Sequence, residues 1–455
     1  MSQAYRRHCL IAVPLLFSVA GCVHYQPQPL APAGIAAAID RRTLPPMPGG
    51  IASEASLFAV ALIHAPSLRD AAGAYRNAVA AARASRVRPL GTLTLSAEYS
   101  HQDSPRKPWL GGAALDLPLD IGGRRSTRID AADLAIVQAR YDYLEALWQT
   151  RSAIHRALID WRAADTEIAL DEEAVAIRRE RETRLGRRVA AGEDPQSIAL
   201  AARTDRIASE RRAADAQARR SQAVASLAKA IGMTPAPIGT MSIAPEIDLP
   251  LPAPAVTAEW RRDAALARPD VLRAIVDYDL AEGAVKTEIA KQYPEIHIGP
   301  GYIYERGLTK LPFNIGLVLP PSDFNRAAIR EAEARRAAAG TRIEGLQAGI
   351  LANVDGTVTA LAAAIDAARR SEQQDLPVAE RGLDQAQRGL RAGETDRTDE
   401  LAARGALVDT HIAIAEARRQ ARIARADLDD AARPPLDPVE SALFTQAMHA
   451  LETSK

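Results

Sequence analysis

The chain has 455 residues, enough for two or three ordinary domains or for one elongated body. Its 57 basic and 57 acidic residues cancel, so no global field recruits nucleic acid or an acidic partner. Aromatic residues make up only 4 % and charged residues 25 %, a balance that suits long helices better than an aromatic-rich globular core.

The N-terminus places Arg6 and Arg7 before the apolar run "CLIAVPLLFSVA" and ends on small residues before Cys22. Residues 1–21 read as a secretory signal, too short for a spanning helix. The ending "SVAGC" resembles the bacterial lipobox, which implies Cys22 as a lipidated first residue and 22–60 as a lipidated segment; the alternative is an ordinary signal peptide with a chance cysteine. Cys9 leaves with the signal, so disulfides and cysteine metal sites are excluded.

A first repeat is expected over 61–232. A helix runs from Pro66 to about Val87, with proline at its start. Alternation in "TLTLSAEYS" and "GAALDLPL" predicts two strands over about 92–118, with Leu93, Leu95, Ala97 and Tyr99 on one face. A helical hairpin follows over about 124–232. Its outgoing arm has no glycine or proline from Arg124 to Leu185, a span of roughly 90 Å as helix. Leu147, Ile154 and Trp161 recur every seven residues, flanked by Leu144 and Leu158, as a coiled-coil seam does. The phrase "AGEDPQSIALAAR" turns the hairpin at Gly192.

Six prolines between Pro235 and Pro254 predict an extended linker over 233–257. The plan then repeats over 258–432: a helix from Pro269 to about Gln292, strands over about 295–320 and a hairpin over about 325–432. "IHIGPGYIYE" aligns Ile296, Ile298, Tyr302 and Tyr304, and "FNIGLVL" aligns Phe313, Ile315, Leu317 and Leu319, although Pro118 and Pro300 weaken the strand pattern. Gly340, Gly345, Gly349 and Gly356 read as interruptions of the outgoing helix, and Pro377 as a kink. "AGETDRTDELAAR" repeats the first turn phrase 201 positions later, so the halves form one tandem duplication; residues 433–455 follow as a C-terminal segment.

Four strands of about nine residues have membrane-crossing length, yet four cannot close a barrel. Three chains supply twelve. On that reading Tyr99, Trp109, Tyr302, Tyr304 and Phe313 lie near the ends of the apolar band; the alternative is aromatic packing inside a soluble sandwich.

These features together resemble the TolC-like outer-membrane efflux proteins: the lipobox, "RPDVLRA" before a helix and strand, "LPLDIGGRR" entering a long helix, and the two AGE turns. The resemblance implies a mainly α fold with a small β part, in which a homotrimer builds a twelve-stranded outer-membrane barrel continued by a periplasmic coiled-coil tunnel. It implies a non-enzymatic duct with no cofactor, partnered by a periplasmic adaptor, an inner-membrane transporter and outer-membrane lipid. "PEIHIGPGYIYERG" and "LDLPLDIGGRRSTRIDAA" are similar to the heavy-metal branch, the cobalt–zinc–cadmium and copper–silver exporters. That branch reads closer to "LPLFNRN" where this chain has "LPPSDFNRA", so export of drugs or other organic compounds stays open. So does a lipid-anchored periplasmic coiled coil without a pore, although it has no use for membrane-length strands.

No nucleophile, phosphate-loop or zinc-protease motif appears, and the eight histidines lack ligand spacing. The resemblance assigns adaptor docking to the hairpin tips: Val189, Ala191, Gly192, Glu193 and Asp194, with Leu390, Arg391, Ala392, Gly393 and Glu394. The alternative is a tight turn alone, which accounts for glycine but not for the shared glutamate. Asp396, Asp399 and Glu400 are gate candidates, because a trimer makes each a ring of three; helix capping accounts for the same acids.

Overall fold

The structure, a computed structural model, describes residues 25–46, 50–88, 90–99, 109–119, 121–244, 256–305 and 307–453. The signal segment and Cys22 lie outside these residues. The chain forms two units. The first, ending at Arg42, holds α1 (Pro32–Asp40), which buries none of its residues. The second begins at Thr43 and contains everything else.

That second unit opens with β1 (Ile51–Ala52) and α2 (Glu54–His64), the latter capped reciprocally by Ser53 and Ser56. Then come α3 (Pro66–Ser85), β2 (Thr92–Tyr99), β3 (Trp109–Leu119), α4 (Arg124–Ala190) and α5 (Gln196–Ile231). After α6 (Pro235–Ile238), β4 (Ser242–Ile243) and α7 (Ala258–Leu266), the order recurs. It runs α8 (Pro269–Ala290), β5 (Glu295–Glu305), β6 (Leu308–Lys310), β7 (Phe313–Val318), α9 (Arg326–Arg370), α10 (Leu376–Ala392) and α11 (Arg397–Ala432). α12 (Pro438–Thr453) closes the chain. Helix–strand–strand–helical hairpin is thus written twice.

α4 is 67 residues long, about 100 Å at 1.5 Å per residue. Its seven-residue seam is real: Leu147 and Ile154 are inaccessible and Trp161 nearly so, with Leu158 beside them. They pack with Phe58 of α2 and with Leu227 and Ile231 of α5. A second core joins α7 and α8 to α9 and α11 around Val271, Val354, Leu361 and Leu428. Between the halves, Trp148, Ser152 and Arg156 of α4 donate to Asp430 of α11 at 3.0, 2.6 and 2.6 Å. Burial pushes the Asp430 carboxyl up, but these donors outweigh it and hold the group below its ordinary range.

Several expectations need correction. The proline-rich stretch is not an extended linker over 233–244, and residues 245–255 lie outside the described residues. Ile238 is fully buried, and β4 pairs in parallel with β1, Ile51 opposite Ser242. Short-range turns hold prolines where apolar neighbours such as Ile238 reach the core. The C-terminal segment is likewise docked over its described part, 433–453: Phe444 stacks on Phe58 at 5.2 Å, and Arg151 donates to Glu440 at 2.8 Å. The boundary placed at 60/61 falls inside α2. Gly340, Gly345, Gly349 and Gly356 do not interrupt α9. Each helical glycine costs about 1 kcal/mol, which the buried Ile350, Val354 and Leu361 of the same helix offset. Just before Pro377 the helix takes a π turn, Ser371–Asp375, the local widening that accommodates a residue without an N–H.

Two outcomes follow. Ile154→Ala lowers stability by about 2–5 kcal/mol, read as an earlier melt by far-ultraviolet circular dichroism, because the site is closed on all sides. Asp430 has a depressed folded-state pKa, so its stabilisation is present above the unfolded value of about 3.9 and is lost as pH falls through the folded value. Asp430→Asn therefore flattens the acid limb of a stability–pH curve and leaves its slope at neutral pH unchanged.

Candidate functional site

Apart from the short β1–β4 pair, the strands form one antiparallel sheet in the order β2, β3, β5, then β6 with β7. β6 and β7 keep one register against β5, Tyr304 opposite Thr309 and Ile298 opposite Ile315, so they are a single strand interrupted at Leu311–Pro312. Leu110 through Ala114 pair with β5, and so do Leu117 through Leu119, but the rungs facing Gly299 and Pro300 are missing. That is how a proline without an N–H is accommodated mid-ladder.

Residues directly opposite share a face. Leu93–Leu115, Leu95–Ala113, Tyr99–Trp109, Leu117–Ile298, Leu119–Ile296 and Ile298–Ile315 put one face almost wholly in hydrocarbon. Leu95 is 74 % exposed and Ile315 63 %, so nothing among the described residues covers this face. About ten large apolar side chains stand on it; left in water they would forfeit roughly 20 kcal/mol of transfer free energy. The other face carries Thr92, Thr94, Ser96, Glu98, Asp116, Glu295, His297, Glu305 and Lys310. On it His297 lies 3.1 Å from Asp116 and 3.7 Å from Glu295, and Arg124 donates to Glu295 at 2.9 Å.

The aromatic residues divide. Tyr99 and Trp109 meet edge-on at 5.0 Å in the last rung, with Tyr304 opposite Gly111 close by. Phe313 sits opposite Pro300, the middle of β5, and not at the edge of the band as expected. Where the strands enter the helices, Tyr293 and Phe324 are exposed aromatics that the sequence reading passed over. Gly122 and Gly123 take φ of 79° and 83°, and a side chain on Gly122 would strike Tyr293 at 3.1 Å. Phe324 and Asn325 hold the equivalent turn at φ of 53° and 60°, with Asn325 donating to Glu288 at 2.8 Å.

Both hairpin tips close the same way. Gly192 has φ 77°, with the Glu193 N–H bonded to Arg188 O at 2.9 Å; Gly393 has φ 73°, with Glu394 N–H bonded to Gly389 O at 2.9 Å. This left-handed cap requires glycine. Ala191, Glu193, Arg391 and Glu394 are exposed, while Val189 and Leu390 are half-buried. At the second tip Asp396 caps α11, accepting from Thr398 and Asp399 N–H at 2.6 and 3.1 Å, and Asp399 returns a bond to Asp396 N–H. Glu400 is buried and paired with Arg397 at 2.7 Å. Of the three acids only Asp399 is exposed.

The residue that joins the tips is one the sequence did not flag. Arg188, near the end of α4, bonds Asp194 at 2.8 Å and also reaches Asp396 of the other hairpin. Further from the tips, Asp409 of α11 accepts from Arg178 of α4 at 2.5 Å and Arg212 of α5 at 3.1 Å. Ala174 and Ile177 of α4 bury Leu401 and Val408 of α11 between these ionic layers. A basic residue in a last helical turn is ordinary, so no local signal marks its partner 208 positions away.

An export channel of the outer membrane accounts for a sheet that is apolar on one side and polar on the other, prolonged by helices of this length. A sequence model described as "Outer membrane efflux protein" matches residues 57–233 and 260–432, most of the chain, and the protein belongs to that family. The family consists of outer-membrane channels and not of enzymes. Solved structures share the fold at low identity. CusC superposes with a TM-score of 0.68 at 16 % identity, covering 83 % of this chain and 91 % of its own. For VceC of Vibrio cholerae the values are 0.66, 20 %, 83 % and 95 %, and for the CmeC outer membrane channel of Campylobacter jejuni 0.71, 13 %, 88 % and 90 %. A search of curated protein sequences returned no significant match.

Replacing Asp396 separates its two duties. Asp396→Asn keeps a capping side chain but drops the charge facing Arg188, whereas Asp396→Ala loses the cap as well, at about 1 kcal/mol. Hydrogen exchange at the Thr398 and Asp399 amides therefore rises roughly fivefold in the alanine variant and little in the asparagine variant.

Proposed function

We propose that the protein is the outer-membrane duct of a tripartite efflux pump, passively conducting substrate delivered by a periplasmic adaptor and an inner-membrane transporter. The observation that carries this reading is the four-stranded sheet with its exposed apolar face and two edges, at β2 and at β6–β7, that are unpaired among the described residues. Open edges do not survive in lipid, and three copies supply the twelve strands of a closed barrel. The polar faces then line the lumen and the hairpins continue it into the periplasm.

On this reading the tips around Gly192 and Gly393 receive the adaptor, with Val189, Glu193, Leu390, Arg391 and Glu394 on that surface. Cys22 carries the lipid that tethers the N-terminus, in addition to the barrel itself. The resting gate is the Arg188–Asp194–Asp396 cluster, with Asp399 the acid left open to passing ions. Glu98, Asp116, Glu295 and Glu305 outnumber Lys310 on the polar face, so this lumen favours cations; heavy-metal cations are the substrate class we propose, with drugs or other organic compounds as the alternative.

Single-channel recording in planar bilayers tests the duct and its gate together. The expected result is discrete, cation-preferring conductance that is rare in the unmodified protein and at least tenfold more frequent in Arg188→Ala, which frees both tips. Absence of conductance from both proteins contradicts the duct. Equal opening of the two keeps the duct and removes Arg188 from the gate.

A further inference from the structure

The internal duplication places equivalent residues in opposite environments next to the tips. Counted from the turn glycines, Leu200 and Ile207 of α5 correspond to Leu401 and Val408 of α11, and Ile177 of α4 corresponds to Val378 of α10. From Val378 to the turn the stretches compared contain no insertion, and Asp375 is the last residue of the π turn. In one set the residues are sealed: Leu401, Val408 and Ile177 are 1 %, 2 % and 6 % exposed, packed together within the chain. In the other they are open: Leu200, Ile207 and Val378 are 53 %, 50 % and 60 % exposed. A seam built once within the chain therefore exists a second time as two unmated halves.

The flanking positions say what mates them. In the sealed seam Ile412 and Ala174 stand at the same height above the tips. Their counterparts are Arg211 and Asp375, both exposed, and among the described residues neither has an ion-pair partner. Opposite charges lie where the sealed seam has apolar residues, at matching distances of roughly 28 Å from the turn along each helix.

Resting on the trimeric reading above, we infer that a second copy of this chain supplies the missing half. Its α10 packs against α5, seating the neighbour's Val378 on Leu200 and Ile207 and pairing the neighbour's Asp375 with Arg211. The two kinds of seam around the tunnel end then differ in chemistry. The one within a chain is locked by Arg188, Arg178 and Arg212 onto Asp396 and Asp409. The one between chains is a short apolar contact closed by a single ion pair. Apolar residues seven apart and confined to the turns nearest the tip suit such a helix-on-helix contact.

Cysteine cross-linking of the full-length protein in its native membrane tests the seam, since the only other cysteine expected in the mature chain is Cys22. Ile207→Cys combined with Val378→Cys is expected to link more than half of the chains into covalent species of three times the monomer mass under mild oxidation. Each single variant stays at monomer mass on a denaturing gel. Ile177→Cys with Val408→Cys links within one chain and leaves the mass unchanged. Arg211→Asp is expected to lower the temperature at which the unboiled oligomer dissociates, and adding Asp375→Arg restores it. An oligomer of three copies that neither cross-links at 207–378 nor responds to the charge exchange overturns this seam while leaving the trimer standing. A chain that is monomeric in detergent and membrane overturns both.

Discussion

Everything in this molecule turns on the hydrogen-bonding demand of a sheet edge in hydrocarbon. A backbone N–H or C=O left unpaired in lipid costs several kcal/mol, and this sheet presents two edges of them. Its outward face adds a demand of the same sign, because Leu95, Ile315 and their neighbours belong in an apolar medium. A single chain cannot meet both demands at once. Closure with further copies satisfies the edges, and lipid satisfies the face.

The helices then follow from the sheet. Each strand pair delivers its chain into a long helix through a turn of positive φ, Gly122–Gly123 in one half and Phe324–Asn325 in the other. Tight packing of α4 on α2, α3 and α5 fixes the first hairpin, and α7, α8 and α11 fix the second. Arginine–carboxylate layers on α4, α5 and α11 join the two where little apolar area is available. Ionic contacts among half-exposed helices are individually weak, so a tip held by them opens at small cost, which suits a gate better than a core.

Much of this architecture was legible in the sequence because periodicity is a local signal. Period two marked β2, β3, β5 and β7, period seven marked Leu147, Ile154 and Trp161, and the AGE phrases marked two turns where only glycine takes the needed backbone. What stayed hidden was long-range or conditional. Arg188 looks like any basic residue at a helix end until Asp396 is seen beside it. Leu200 and Leu401 share the phrase LAAR, yet one is open and the other sealed, because burial depends on which helix lies alongside. Prolines misled in both directions: Pro235 begins a docked helix where an extended linker was expected, and Pro300 remains within a strand that simply omits two rungs toward β3.

The central claim is that one barrel is shared by several copies, and the number of chains per barrel tests it most directly. Native mass measurement of the protein extracted in mild detergent is predicted to give three chains in a single assembly, dissociating only on heating. A stable, fully folded single chain under the same conditions would contradict the account, since its sheet edges would then be satisfied without partners.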